Sequence, residues 1–288
     1  MKKMVFKKKQ VTIFIIGLFI ILNISSIQAE TFTPLTYNNE SFQILEKQTN
    51  INQEILDSTI ISCNDFSTSY KKFTALILNP SEHIYGNKHC LKIINNLLTI
   101  GYNIEYLCND AVDLPYIKTN LSAEIVYINT HAGYWDLDGD NLSDTVVIST
   151  GEHWTNETPI NYQFEYENQM IVEGIVGNES FVAFTPALIN YYYNPGDLPN
   201  SLIYMATCYA AYDDSMAEVF LDKGASAYMG WSKNTAFWTN SITSVLAFRF
   251  LLNGLTVKQV CNLIRSGGLI NFLLQSKLIY YGYGNHRI

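Results

Sequence analysis

Short apolar runs alternate with helix-period stretches along most of the chain. Phe73-Thr74-Ala75-Leu76-Ile77-Leu78 reads as a buried strand that stops at Asn79-Pro80. Residues 87–100 place Leu91, Ile94, Leu97 and Leu98 at helical spacing and end at Gly101. Further strands are expected over residues 104–108, 123–129, 202–207 and 225–231. Further helices are expected over residues 213–223, 240–252 and 257–264. Strands that alternate with helices imply an α/β fold whose mostly parallel sheet is covered on both faces. In such sheets ligands sit beyond the carboxyl ends of the strands. That rule draws attention to His131 and Cys208, which follow the third and fourth expected strands.

The N-terminus departs from this pattern. Met1 to Lys9 is basic, residues 11–22 are apolar apart from Thr12 and Gly17, and a small polar stretch runs to Ala29. This is the layout of a secretory signal, and the run is shorter than the ~20 residues of a membrane span. Cleavage is expected after Ala29, giving an exported, secreted or cell-surface chain with no membrane span in its mature part. Residues 30–71 are polar and weakly patterned, and read as an N-terminal extension or propeptide with a short helix over 42–56. Residues 72–288 read as the functional domain. Beyond residue 29 the chain carries 13 Lys+Arg against 26 Asp+Glu. That balance argues against nucleic acid as a partner. The five cysteines, at 63, 90, 108, 208 and 261, contain no CxxC pair, so a thiolate zinc site has no support.

His131 and Cys208 offer specific chemistry. If their strands are neighbours, an imidazole and a thiol meet at one sheet edge. A nearby histidine activates a thiol, and once protonated it can hand its proton to a leaving amine. Gly133 permits close approach of a substrate, and its N–H is a candidate oxyanion donor together with that of Cys208.

The segments Ile125-Val126-Tyr127-Ile128-Asn129-Thr130-His131-Ala132-Gly133 and Leu202-Ile203-Tyr204-Met205-Ala206-Thr207-Cys208 resemble the paired motifs of caspase-fold cysteine peptidases, in the gingipain, clostripain and CHAT-like branch. Residues 215–231 also resemble the helix, Gly-Ala turn and strand that follow the nucleophile in that clan. The resemblance covers about residues 72–264. It implies a three-layer α/β/α sandwich and a thiol-dependent endopeptidase acting through a thioacyl intermediate on a protein or peptide substrate. Cys208 would be the nucleophile, His131 the general acid/base, and the N–H groups of Cys208 and Gly133 the oxyanion donors. The family places Gly directly after the His, whereas here Ala132 intervenes. The 77-position separation of His131 and Cys208 implies an insertion, taken as residues 145–200. Relatives that cut after Arg or Lys use an acidic pocket, which makes Asp213 and Asp214 weak substrate-binding candidates, although helix capping explains them equally. Trp231 is a candidate pocket wall or a core aromatic.

Five residues after His131, the stretch 136–144 places Asp136, Asp138, Asp140 and Asp144 at relative positions 1, 3, 5 and 9, with the Leu142 carbonyl at position 7. This is the oxygen-ligand alternation of a calcium loop. It resembles dockerin and thrombospondin type 3 loops, though it lacks the Glu of a full EF-hand at position 12, where Val147 stands. Calcium is expected to order the segment that carries His131. No organic cofactor is implied. Within the insertion, residues 190–197 read as a surface loop. Two other readings remain open at this point. One is a catalytically inactive, calcium-stabilised surface module that binds proteins. The other is a metal-dependent hydrolase built on His131, Asp136 and His153.

Overall fold

The computed structural model describes residues 74–136, 145–265 and 275–288. The expected signal segment 1–29, the expected extension 30–71 with its helix, Cys63, and the calcium-loop candidates Asp138, Asp140, Leu142 and Asp144 lie outside the described residues.

The chain enters as strand β1 (Thr74–Asn79), followed by helices α1 (Glu82–Tyr85) and α2 (Lys88–Leu98), strand β2 (Asn103–Cys108), helix α3 (Leu114–Thr119) and strand β3 (Ile125–Ile128). Strands β4 (Ala132–Trp135) and β5 (Thr145–His153) come next, then short helices α4 (Thr158–Asn161) and α5 (Gln163–Glu167). The hairpin β6 (Ile171–Val176) and β7 (Glu179–Phe184) leads into helix α6 (Pro186–Tyr192) and strand β8 (Leu202–Met205). Helix α7 (Ser215–Asp222), strand β9 (Ala227–Trp231), helices α8 (Phe237–Leu252) and α9 (Val257–Arg265) and strand β10 (Leu278–Gly282) complete it.

The main sheet has the order β10-β9-β8-β3-β1-β2. It is parallel except for β10, which pairs antiparallel with β9. The fold is therefore α/β with a mixed, mostly parallel sheet. Side chains alternate between two cores. Ala75, Ile77, Ile125, Tyr127, Leu202 and Tyr204 pack with residues of α2, α8 and α9. Leu76, Leu78, Val126, Ile128, Ile203 and Met205 pack with α3, α6 and α7. Burial on both faces explains why these strands read as continuous apolar runs.

Residues 145–200, expected only as an insertion, contribute most of a second, antiparallel sheet of order β4-β5-β7-β6. One face of it, with Val146, Ile148, Ile171, Val182 and Phe184, completes the core around α3, α6 and α7. The surface loop expected over 190–197 is corrected in its first half, while residues 194–197 form an exposed turn. Its first residues belong to α6, and Tyr193 is buried, its hydroxyl donating to the Ile117 carbonyl at 2.6 Å and accepting from the Leu121 N–H at 3.0 Å. No helix among the described residues is long and apolar enough to cross a membrane.

Candidate active site

β3 and β8 are neighbours, with Ile128 opposite Met205 in parallel register. His131 and Cys208 each lie three residues further on, so they leave the sheet at the same level from adjacent strands about 4.8 Å apart. The order of the sheet reverses one strand away, between β1 and β3, so that His131 but not Cys208 flanks the reversal. The chain runs from β1 outward to β2, then returns to place β3 on the other side of β1. Such a switch point opens a crevice beyond the strand ends.

Three buried asparagines hold that rim. The Asn129 side-chain amide donates to Asn79 Oδ1 at 2.7 Å, and that of Asn79 donates to the Gly86 carbonyl at 3.2 Å. Asn240, from α8, donates to the Ala206 carbonyl at 2.7 Å and to Asn129 Oδ1 at 3.3 Å, and accepts from Trp231 Nε1 at 2.9 Å. One network thus ties together the segments after β1, β3 and β8. Buried polar groups that are satisfied in this way fix a single arrangement. Trp231 has 0 % of its surface exposed, and its ring belongs to the core. Its assignment as a pocket wall is therefore corrected: it anchors Asn240.

The His131 ring is half-buried, and its Nε2 lies 2.7 Å from the Tyr85 hydroxyl. Tyr85 stacks in turn on Phe237, with ring centroids 4.1 Å apart and planes 13° apart. Burial lowers the His131 pKa from its ordinary 6.5, and the charge of His83 lowers it further. Burial, with the charge of Cys208, raises the Tyr85 phenol, so that it stays a neutral hydroxyl. With Nε2 engaged by Tyr85, Nδ1 is the nitrogen left for chemistry.

Cys208 Sγ donates to the Thr235 carbonyl at 3.3 Å and accepts from the Thr235 N–H at 3.2 Å. Burial raises its pKa above the ordinary 9.0, and the N–H groups of Thr235 and of Cys208 itself oppose that shift. In the free protein both groups of the pair are therefore neutral at pH 7. Tyr209, the next residue, has φ of 55°. That left-handed backbone costs a non-glycine residue roughly 1–2 kcal/mol. Bonds on either side hold it: Tyr209 N–H to the Lys233 carbonyl at 3.3 Å and Ala211 N–H to the Trp231 carbonyl at 3.0 Å.

The oxyanion assignment of Gly133 is corrected by the strand ladder. The Ser149 N–H bonds the His131 carbonyl at 2.9 Å, so these two residues form a hydrogen-bonded pair. Gly133 lies opposite Val147, the next such pair by alternation, and its N–H is committed to β5. The intervening Val146 N–H turns away from β4 to Ser215 Oγ, as the alternation requires. By the same rule the Ala132 N–H points to the free edge of β4.

The remaining candidates scatter. Asp213 accepts from the Ser215 N–H at 3.0 Å and from its hydroxyl at 2.6 Å, so it serves the start of α7 and not a pocket. Asp214 is exposed at the N-cap position, without a side-chain cap bond. Asp136 directly follows β4, and the paired residues Trp135 and Thr145 hold the two ends of the acidic loop together. His153 lies against Phe181, with ring centroids 4.7 Å apart. It is four residues along β5 from Ser149, the partner of His131, or roughly 13 Å. His131 and His153 are thus not brought together. Cys90 and Cys261 are buried thiols, and burial pushes that of Cys261 up to about 12.

Sequence reasoning missed Tyr85, Thr235 and the asparagine network. Tyr85 follows the carboxyl end of β1, so the strand-end rule that singled out His131 and Cys208 also points to it. No family model matches the chain, and no curated protein matches it.

Proposed function

We propose that the chain is an exported cysteine endopeptidase of the caspase-fold type, in which Cys208 and His131 hydrolyse peptide bonds through a thioacyl intermediate. The observation that carries this reading is the emergence of both residues, in register, from the carboxyl ends of adjacent parallel strands. In the cycle, His131 Nδ1 takes the thiol proton and the sulfur attacks the scissile carbonyl carbon. The oxyanion lies between the N–H groups of Cys208 and Ala132. His131 then protonates the leaving amine as the C–N bond breaks. Water, deprotonated by His131, attacks the thioester, releases the acid and restores the thiol. Tyr85 is a positioning residue, holding the ring through Nε2. Export rests on the basic, apolar and small-residue order of residues 1–29. Calcium binding rests on the spacing of Asp136, Asp138, Asp140, Leu142 and Asp144 in the stretch of sequence between β4 and β5, and would steady β4 beside His131.

A peptide-library cleavage profile of the parent and of Cys208→Ala, with and without calcium, tests this. The parent should cut and the variant should lose about a thousandfold or more of the rate. Chelation should lower the parent's rate. Equal cutting by the two proteins overturns the peptidase reading, and chelator-independent cutting overturns the calcium coupling.

A further inference from the structure

We propose that the outward face of the second sheet is the pocket for the substrate residue on the leaving-group side of the cut, and that it takes an uncharged, apolar side chain. This rests on the peptidase reading and adds a specificity site to it. Residues on one face of this sheet close the main core, as described above. Antiparallel sheets with one buried face usually turn polar residues outward on the other. Here the other face carries Val147, Val172 and Ala183, buried together with Trp135 packed on them. Above them lies a cleft of about 230 Å³, lined by β4, β5 and β6 and reaching His131 at one end.

Its floor is made of small residues for which the main core gives no reason. A Cβ at Gly174 would come within 3.1 Å of both Ala183 Cβ and Ser149 Oγ, a tight approach that a larger residue makes only if those neighbours give way. A Cβ at Gly133 would meet nothing within 4 Å. The side chain missing at Gly133 is therefore open space, on the outward face, two residues from the candidate acid. In the proposed cycle His131 protonates the leaving amine, so the residue that carries this amine lies on the His131 side of the scissile bond. Its side chain reaches this cleft first. The Val147, Val172 and Trp135 walls favour apolar groups over charged ones.

The test is a cleavage profile at the leaving-group position for the parent, Gly133→Val and Trp135→Ala. The parent should prefer Val, Leu or Phe over Gly and Asp by about tenfold or more in kcat/KM. Gly133→Val, whose added methyls project into the cleft, should reverse that preference toward Gly and Ala. Trp135→Ala should move it toward larger rings, and serves as the second variant should Gly133→Val unfold in a thermal melt. A parent that cuts, with folded variants whose profiles match its own, overturns the pocket and leaves the peptidase reading in place. A parent that cuts no better than Cys208→Ala removes the reading, and the pocket with it.

Discussion

The two sheets of this protein differ in what they hold still. The main sheet is buried on both faces, and its carboxyl rim is stitched by Asn79, Asn129 and Asn240. The second sheet packs one face into the main core and turns the other toward the cleft that reaches His131. Chemistry that depends on a sulfur and an imidazole in fixed register belongs on the first kind of scaffold. Selection among side chains belongs on the second, where one residue can change without disturbing the core. His131 is the hinge between them, since it ends the β3 segment and its carbonyl opens the ladder to β5.

The comparison breaks most visibly by truncation in each sheet. Asn240→Ala leaves the Trp231 N–H and the Ala206 carbonyl without their partner inside the core. A loss of ~2–4 kcal/mol in denaturant unfolding is expected, together with loss of cleavage. In the second sheet, Thr150→Val removes the 2.8 Å bond that Thr150 donates to the Val182 carbonyl and the 3.1 Å bond that it accepts from the Glu152 N–H. It should cost about 1 kcal/mol and leave the variant folded. Equal costs would remove the distinction between a stitched rim and a tolerant sheet. A smaller and more local effect is expected at Tyr85. Tyr85→Phe keeps the stack on Phe237 and removes the hydroxyl from His131 Nε2. Turnover should fall about tenfold with KM unchanged. A raised KM at constant kcat would place Tyr85 in substrate binding instead.

Legibility in the sequence followed burial. Ala75–Leu78, Ile125–Ile128 and Leu202–Met205 are four-residue apolar runs because both faces are covered, and each was readable as a strand. The β6–β7 hairpin was readable in principle. Gly177-Asn178 sits between Ile171–Val176 and Glu179–Phe184, a two-residue turn between strand-like runs. Glu173, Gly174 and the surrounding Tyr and Asn residues obscured it. The acid-rich stretch before β5 and Gly151-Glu152-His153 at its end likewise hid the apolar Val146-Val147-Ile148. The strand-end rule located His131 and Cys208. It did not assign the N–H of Gly133, because which amide faces the ladder depends on pairing with β5, a contact made by residues distant in sequence. The bond between Tyr85 and His131 spans 46 residues and carries no local signature.

The central claim is that His131 acts on the Cys208 sulfur, and the rate of iodoacetamide labelling at Cys208 against pH, in the parent and in His131→Asn, tests it most directly. A neutral imidazole accepts the thiol proton, and burial lowers the pKa of His131. The parent's labelling should therefore rise with pH through a value below the ordinary 6.5 of histidine, far from the raised titration of the thiol itself. In His131→Asn that rise should vanish, and labelling at pH 7 should fall about tenfold. Superimposable profiles for the two proteins would contradict the account.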